Sequence, residues 1–423
     1  MRPSAGRPRS ARSRPRTPRR CGSTRATFSA MRTPSRAPSI PPPPGPRVAR
    51  AGARTPRRSP LPRPRPSMRA MQRLAAALAI LLITGACGGG APATSASSAP
   101  AAASATAAAT LKPVTVRFGQ VGGISDGGIY LADAKGFFKA QGITLESVAF
   151  QSAANMIAPL GTGELQAGGG APSAGLYNAI DRGIQMRIVA DKGSLLPGHG
   201  YEAIVVRKAL AEKVKSAKDM KGLKIAIAAR DIVPEYSLDQ YLRTGGLTIK
   251  DVEVVTLAFP DMLPAIANGS IDVAAPTEPT ATRILDAGTA RLITRTDVVV
   301  PGEQTAVILF SEKFAQDKDA ATRFMTGYLQ GVRLYNDALD KKDPAKRAEV
   351  VQILATATKL DAALIERLVM PGLHPDGKVN ADSLNASQQY FVAKGSQQKA
   401  VDMAKVVDLS FVDAAVKQLG AYR

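Results

Sequence analysis

From Pro113 to Phe310 the chain alternates short β-branched or apolar runs with amphipathic stretches, and this alternation restricts the fold more than any other feature. It is the pattern of an α/β protein whose helices flank a largely parallel sheet. Strands are expected at Val114 to Phe118, Ile143 to Phe150, Met186 to Ala190, Ala203 to Arg207, Lys224 to Ala229, Val252 to Leu257, Val273 to Ala275 and Thr305 to Phe310. Helices are expected between them at Ile129 to Gln141, Asn155 to Thr162, Ser173 to Arg182, Leu238 to Thr244 and Met262 to Asn268. After Phe310 the pattern becomes helical. Ala321, Phe324, Met325, Tyr328, Val332, Tyr335 and Leu339 recur mostly at three or four and form one buried stripe, and further helices are expected at Val350 to Leu360 and Phe411 to Leu419.

Two segments of similar texture, YEAIVVRK (201 to 208) and QTAVILFSEKF (304 to 314), bracket a complete α/β unit. A chain that leaves one lobe, builds a second and returns crosses between them twice, which is the connectivity of hinged lobes. Lobe 1 is expected at 113–208 plus 300–423 and lobe 2 at 209–299.

The net charge of +22 suggests an anionic partner only until it is located. Residues 1–87 hold 20 Arg with no Lys, Asp or Glu, leaving 36 Lys+Arg against 34 Asp+Glu in the rest. The globular part is therefore nearly neutral. Segment 1–67, with runs such as RSRPRTPRR and IPPPPGPRVAR, is too poor in apolar residues to bury a core. Its 18 Arg without a Lys resemble codon bias upstream of the true start, so it is expected to be absent from the mature protein. If it is retained, nucleic-acid binding through this arm becomes the alternative; otherwise no nucleic-acid partner is expected.

Segment 68–87, MRAMQRLAAALAILLITGAC, has the charge, apolar run and length of an export signal. Its apolar run, Leu74 to Ile83, would span about 15 Å as a helix, half a bilayer core. The run ends in Thr84-Gly85-Ala86-Cys87, which resembles a bacterial lipobox except that Thr84 stands where Leu is usual. Cys87 is the only Cys after Met68, so it is expected to carry a lipid anchor, ordinary cleavage being the alternative. Residues 88–112, rich in Ala, Ser, Thr and Gly, read as a tether reaching about 25 to 30 Å.

The motifs GGIYLADAKGFFKAQGITLE (127–146), LGTGELQAGGGAPS (160–173), DMKGLKIAIA (219–228) and GLTIKDVEVVTLAFPDMLPAIANGSIDVAAPTEP (246–279) resemble, in order and spacing, the periplasmic solute-binding proteins of nitrate, sulfonate and taurine type, a group that includes binders of thiamine pyrimidine precursors. Leu223 departs from the basic residue common there. The resemblance runs from Val114 to the C-terminus and implies a type II periplasmic-binding-protein fold: two α/β lobes, a hinge and C-terminal helices. It also implies a monomer that captures a small-molecule ligand by lobe closure and delivers it to the transmembrane subunits of an ABC permease, with no cofactor, no metal and no catalytic residue.

Ligands of open α/β sheets gather beyond the carboxyl ends of strands, where helix N-termini and turn glycines expose N–H groups. The candidate contacts are therefore Gly127, Gly128 and Tyr130; Gln151 and Ser152; Ala171 and Ser173; Arg230 and Tyr236; and Glu278. Gly127 and Gly128 could instead be turn glycines, Ser152 and Ser173 helix caps, and Arg230 a partner of Asp231. Arg230 suits a carboxylate or sulfonate, whereas Glu278 favours an amine or amidine-like group. Tyr177 suits the core. Only His199 and His374 occur, so a three-His metal site is excluded and a Ser/His/Asp triad would rest on one of them. The enzymatic alternative is a thiamine-pyrimidine-synthase-like activity, whose Cys-rich motif this chain lacks. The residues leave nitrate, sulfonate, carboxylate and pyrimidine ligands open.

Overall fold

A computed structural model describes residues 111–423. Segments 1–67 and 68–87 with Cys87, and all but the end of 88–112, lie outside the described residues.

The first sheet has the order β2 (Ile143–Ala149), β1 (Val114–Gln120), β3 (Ala167–Gly170), β10 (Gln304–Ser311), β4 (Met186–Ser194). The second has the order β7 (Glu253–Thr256), β6 (Lys224–Ile227), β8 (Val273–Ala274), β5 (Ala203–Arg207), β9 (Ala290–Arg295). In each, the first strand pairings are parallel and the fourth strand runs against its neighbours: β1 pairs in parallel with β2 and β3 while β10 opposes β3 and β4, and β6 pairs in parallel with β7 and β8 while β5 opposes β8 and β9. The two opposed strands are the ones that follow the crossovers. Each enters its sheet from the other lobe and so arrives from the opposite direction. The expectation of largely parallel sheets is corrected accordingly: both are mixed. β5 belongs to the second sheet, so that sheet begins before the boundary at 209 read from the sequence.

Two strands escaped the sequence pattern. β3, Ala-Gly-Gly-Gly, presents almost no side chain to read, yet the glycines serve packing: a Cβ on Gly169 would lie 2.5 Å from Cδ of Lys192, and one on Gly168 would lie 3.1 Å from Sδ of Met156. β9 is an edge strand with Arg291 and Leu292 exposed.

The lobe 1 core joins Phe118 of β1 and Phe310 of β10 to the helix Lys318–Leu339, whose Phe324 stacks on Phe138 at 4.9 Å between centroids. Ala321, Phe324, Met325, Tyr328, Val332 and Tyr335 of the expected stripe are all buried. This helix lies against the helix Gly127–Ala134 so closely that a Cβ on Gly331 would stand 2.2 Å from the carbonyl oxygen of Gly128. In lobe 2, Ile204, Val206, Ile225 and Ile227 pack against Leu238 and Leu242 of the helix Val233–Thr244.

The helix Ala381–Lys394 was not foreseen. Its buried residues, Leu384, Ser387, Gln388 and Phe391, keep helical spacing, but two of the four are polar. Gln388 is satisfied there by Val401, through N–H to Oε1 at 2.9 Å and Nε2–H to the carbonyl at 2.9 Å. No helix among the described residues is long and apolar enough to cross a membrane.

Candidate functional site

The two crossovers, about residues 195–202 and 296–303, run side by side. Gly302 N–H donates to the carbonyl of Leu195 at 2.8 Å, and Leu195 N–H donates to that of Glu303 at 2.9 Å. A two-stranded connection of this kind bends more readily than it shears, which is what a hinge requires. Away from it, the loops after β3 and β6 meet across the lobes. Ala174 N–H donates to Asp231 O at 3.0 Å, Val233 N–H donates to Pro172 O at 3.3 Å, and Ser173 and Ile232 form an antiparallel bridge. The carboxyl ends of β3 and β6 thus face each other, which defines an interlobe cleft between loop and hinge.

A side-chain latch reinforces the closed mouth. Lys394, at the end of helix Ala381–Lys394 in lobe 1, reaches Asp231 at 2.7 Å and Glu235 at 2.6 Å in lobe 2. Glu235 is fully buried and also accepts from Asp231 N–H at 2.6 Å. Beside the latch, Tyr390 and Tyr236 face each other with ring centroids 5.6 Å apart.

The lobe 1 wall is pinned by a buried ion pair. Lys192 on β4 lies 2.8 Å from Asp126 and donates to Ser125 Oγ at 3.0 Å, while Asp126 accepts N–H from Gly122 at 3.0 Å and Gly123 at 3.1 Å. The loop after β1 is thereby tied to β4. Next to it, Tyr201 donates to Thr305 Oγ1 at 2.8 Å, and Thr305 donates to Gly193 O at 2.9 Å, joining the first crossover to β10 and β4 of lobe 1.

At the hinge stand two buried carboxyls. Burial pushes Glu202 up to about 7, with hydroxyls of Thr296 and Ser237 opposing the rise. Burial, followed by the charge of Glu202, pushes Glu303 up to about 8 against the hydroxyl of Ser383. On the other side of β4, burial raises Asp191 to about 6 despite donors from His374 N–H, Gln304 and Gly193 N–H.

The expected site residues divide. Ser173 and Tyr236 are brought to the cleft from opposite lobes, with Ser173 Oγ accepting Leu176 N–H at 3.1 Å as a helix cap. Ala171 and Ser152 border the same edge, half-buried, and Gln151 is exposed; Ser152 Oγ sits 3.5 Å from Asn155 Oδ1. Gly127 and Gly128 are corrected. A Cβ would strike Tyr335 at 3.1 Å from the first and Val332 at 2.7 Å from the second, so these glycines admit the helix Lys318–Leu339 and are more than turn glycines. Tyr130, on the same helix, packs against that core, and burial and the charge of Asp126 raise its phenol. Arg230 is exposed and donates to Val254 O at 2.5 Å.

Glu278 is committed within lobe 2. Its Oε1 pairs with Arg295 at 2.9 Å and its Oε2 accepts Thr282 N–H at 2.9 Å, so it is not free to sense ligand charge. Sequence reasoning missed Glu202, Glu303, Lys394 and Tyr390. The legible signal for the first two was a single carboxylate at the head of each apolar crossover strand, YEAIVV and EQTAVILF. A hollow of about 520 Å³ between Arg207, Lys208 and the Asn268-Gly269 turn lies at the opposite, amino-terminal edge of the lobe 2 parallel strands and gathers no buried polar cluster.

The model of the family described as NMT1/THI5 like matches residues 125–340, just over half of the chain. Among solved structures, the alkanesulfonate-binding protein SsuA of Xanthomonas axonopodis pv. citri, bound to MOPS, is similar at 22% identity with a TM-score of 0.57, covering 71% of this chain and 99% of that one. The periplasmic nitrate-binding protein NrtA of Synechocystis PCC 6803 is similar at 12% identity with a TM-score of 0.60, covering 73% and 90%. A cysteine-to-serine mutant of the desulfurization enzyme DSZB, in complex with biphenyl-2-sulfinic acid, is similar at 17% identity with a TM-score of 0.51, covering 72% and 99%. No curated protein matches the chain significantly in sequence. Identities this low speak for a shared architecture, the two-lobed type II periplasmic-binding-protein fold, and the family match adds lineage: the chain belongs to the NMT1/THI5-like family.

Proposed function

We propose that this protein is the extracytoplasmic solute-binding component of an ABC importer, held at the membrane by a lipid on Cys87 and acting as a monomer. One observation carries the reading: two sheets of the same plan are exchanged through a paired double crossover, and the loops at the carboxyl ends of β3 and β6 close on each other opposite it. A small ligand bridging both lobes stabilises that closed state, and the permease's transmembrane subunits recognise the closed form. Ser173, Tyr236, Ala171, Ser152, Gln151 and Arg230, which follow the carboxyl ends of β2, β3 and β6, are the proposed contacts that remain from the sequence.

The same fold carries the enzyme DSZB, so an enzyme remains the second reading. The cleft described above favours capture. The two cysteines of the chain, Cys21 and Cys87, both precede the described residues, and His199 is held by Met370 O at 3.1 Å. A melting-temperature screen tests the capture reading against taurine, alkanesulfonates, nitrate, bicarbonate, aromatic carboxylates and amines. At least one compound is expected to raise the midpoint by several degrees when present at about 100 times its Kd, equivalent to about 2.7 kcal/mol. A flat response to every class contradicts the reading.

A further inference from the structure

Most buried acids at the interface and in lobe 2 have a cation. Asp126 has Lys192 at 2.8 Å, Glu278 has Arg295 at 2.9 Å, Glu235 has Lys394 at 2.6 Å and Asp239 has Arg243 at 2.6 Å. Glu202 and Glu303 are each only 4% exposed, and no salt bridge reaches either among the described residues. One oxygen of each, Oε1, is buried without any hydrogen-bond partner. The hydroxyl of Tyr177, fully buried on the helix Ala174–Asp181 of lobe 1, has the Ser387 hydroxyl beside it.

Glu202 and Glu303 end the two crossover segments, which are tied side by side: Leu195 N–H donates to Glu303 O at 2.9 Å and Thr296 N–H to Glu202 O at 3.2 Å. The charge of Glu202 acts on Glu303, and the charge of Glu303 acts on the phenols of both Tyr177 and Tyr236. Tyr177 comes from lobe 1 and Tyr236 from lobe 2, while the two carboxyls head the strands that enter the two sheets. Leaving buried acceptors unpaired costs about 1 to 3 kcal/mol for each group, more when it is charged, so a hinge that keeps two unpaired carboxyl oxygens implies a donor from outside.

We infer that Glu202 and Glu303 recognise a cationic nitrogen head on the ligand, a primary ammonium or an amidinium with several N–H donors, with Tyr177 as a further acceptor. The inference rests on the ligand-capture reading and supplies its ligand class. An amidinium presents N–H donors in a plane and can satisfy two carboxylates at once, and aromatic rings beside it add cation–π attraction. Glu202 moves with β5 and the second sheet, and Glu303 moves with β10 and the first. A cation held between them therefore couples occupancy to hinge closure. A sulfonate or nitrate placed there would meet carboxylates without a neutralising cation.

The groups facing the pair are Tyr177, Tyr201, Tyr236, Ser237, Thr296 and Ser383, none of which titrates between pH 6 and 8.5 in the ordinary range of its kind. Cation binding therefore needs Glu202 and Glu303 ionised and strengthens as pH rises through about 7 to 8.

Isothermal titration of the purified full chain with benzamidine, butylamine, butanesulfonate and nitrate tests this. Benzamidine or butylamine is expected to bind at pH 8.5, to weaken at least tenfold at pH 6, and to lose at least tenfold in affinity in Glu202→Gln and in Glu303→Gln. Cooperative unfolding of both isosteric variants verifies that they are folded. Binding of butanesulfonate or nitrate without either cation overturns the cation assignment and leaves capture standing. Cation binding that both variants retain also overturns it, because the head would then sit elsewhere. Silence from all four probes overturns it too, and the broader melting screen then decides capture separately.

Discussion

Replacing Gly331 by valine is expected to abolish cooperative unfolding of the protein, and Gly331→Ala to cost about 3 kcal/mol or more in urea denaturation. The reason is backbone against backbone. A Cβ at Gly331 stands 2.2 Å from Gly128 O, 2.7 Å from Ala132 N and 2.9 Å from Ala132 Cβ, and no rotamer change can relieve a contact with a main-chain atom. The helices Gly127–Ala134 and Lys318–Leu339 must separate, which opens the core where Tyr328, Val332 and Tyr335 are buried. Gly175 serves as the internal control. It is also helical, but its nearest neighbours to an added Cβ are 3.7 and 3.8 Å away, so Gly175→Ala should stabilise by about 0.5 to 1 kcal/mol. Equal losses at both positions would refute the close helix packing.

The second large effect is expected in the pH dependence of stability without ligand. Glu202, Glu303 and Asp191 have folded values of about 7, about 8 and about 6, all raised above the ordinary carboxyl range by burial. A group whose folded value is raised contributes stability that is full below its ordinary value and is lost as pH climbs through the folded one. Stability should therefore decline from about pH 5 to about pH 8, with a combined loss of several kcal/mol by the rule of about 1.4 kcal/mol per unit. Glu303→Gln should remove the upper part of that slope, between about pH 7 and 8. A profile flat over this range, or rising with pH, would contradict the burial of these carboxyls.

Much of the architecture was legible because it depends on periodicity. The apolar runs at Val114, Ile143, Ala203, Lys224 and Thr305 each became a strand, and the stripe from Ala321 to Tyr335 became the buried face of a long helix. What failed was structure without an apolar signal. β3 is three glycines and an alanine, and the helix Ala381–Lys394 buries Ser387 and Gln388. Site reasoning failed for a related reason: residue type does not reveal whether a polar group is already satisfied. Gly127 and Gly128 looked like ligand-facing turns but make room for a neighbouring helix, and Glu278 looked free but is held by Arg295. Lys394 reaches Asp231 across 163 residues of sequence, a distance no local pattern spans.

Capture by lobe closure has a direct test at Ser173 and Ile232, which are bridge partners from opposite lobes. Antiparallel partners lie about 4.5 to 5.5 Å apart at Cα, within the range a disulfide spans. In a Ser173→Cys, Ile232→Cys protein carrying Cys21→Ser and Cys87→Ser, mild oxidation should form the crosslink quickly. The decisive quantity is the exchange rate of whichever compound raises the melting temperature, measured before and after oxidation. The account predicts that exchange stops in the oxidised protein and resumes on reduction. Unchanged exchange across a closed disulfide, or lobes that never crosslink, would contradict it.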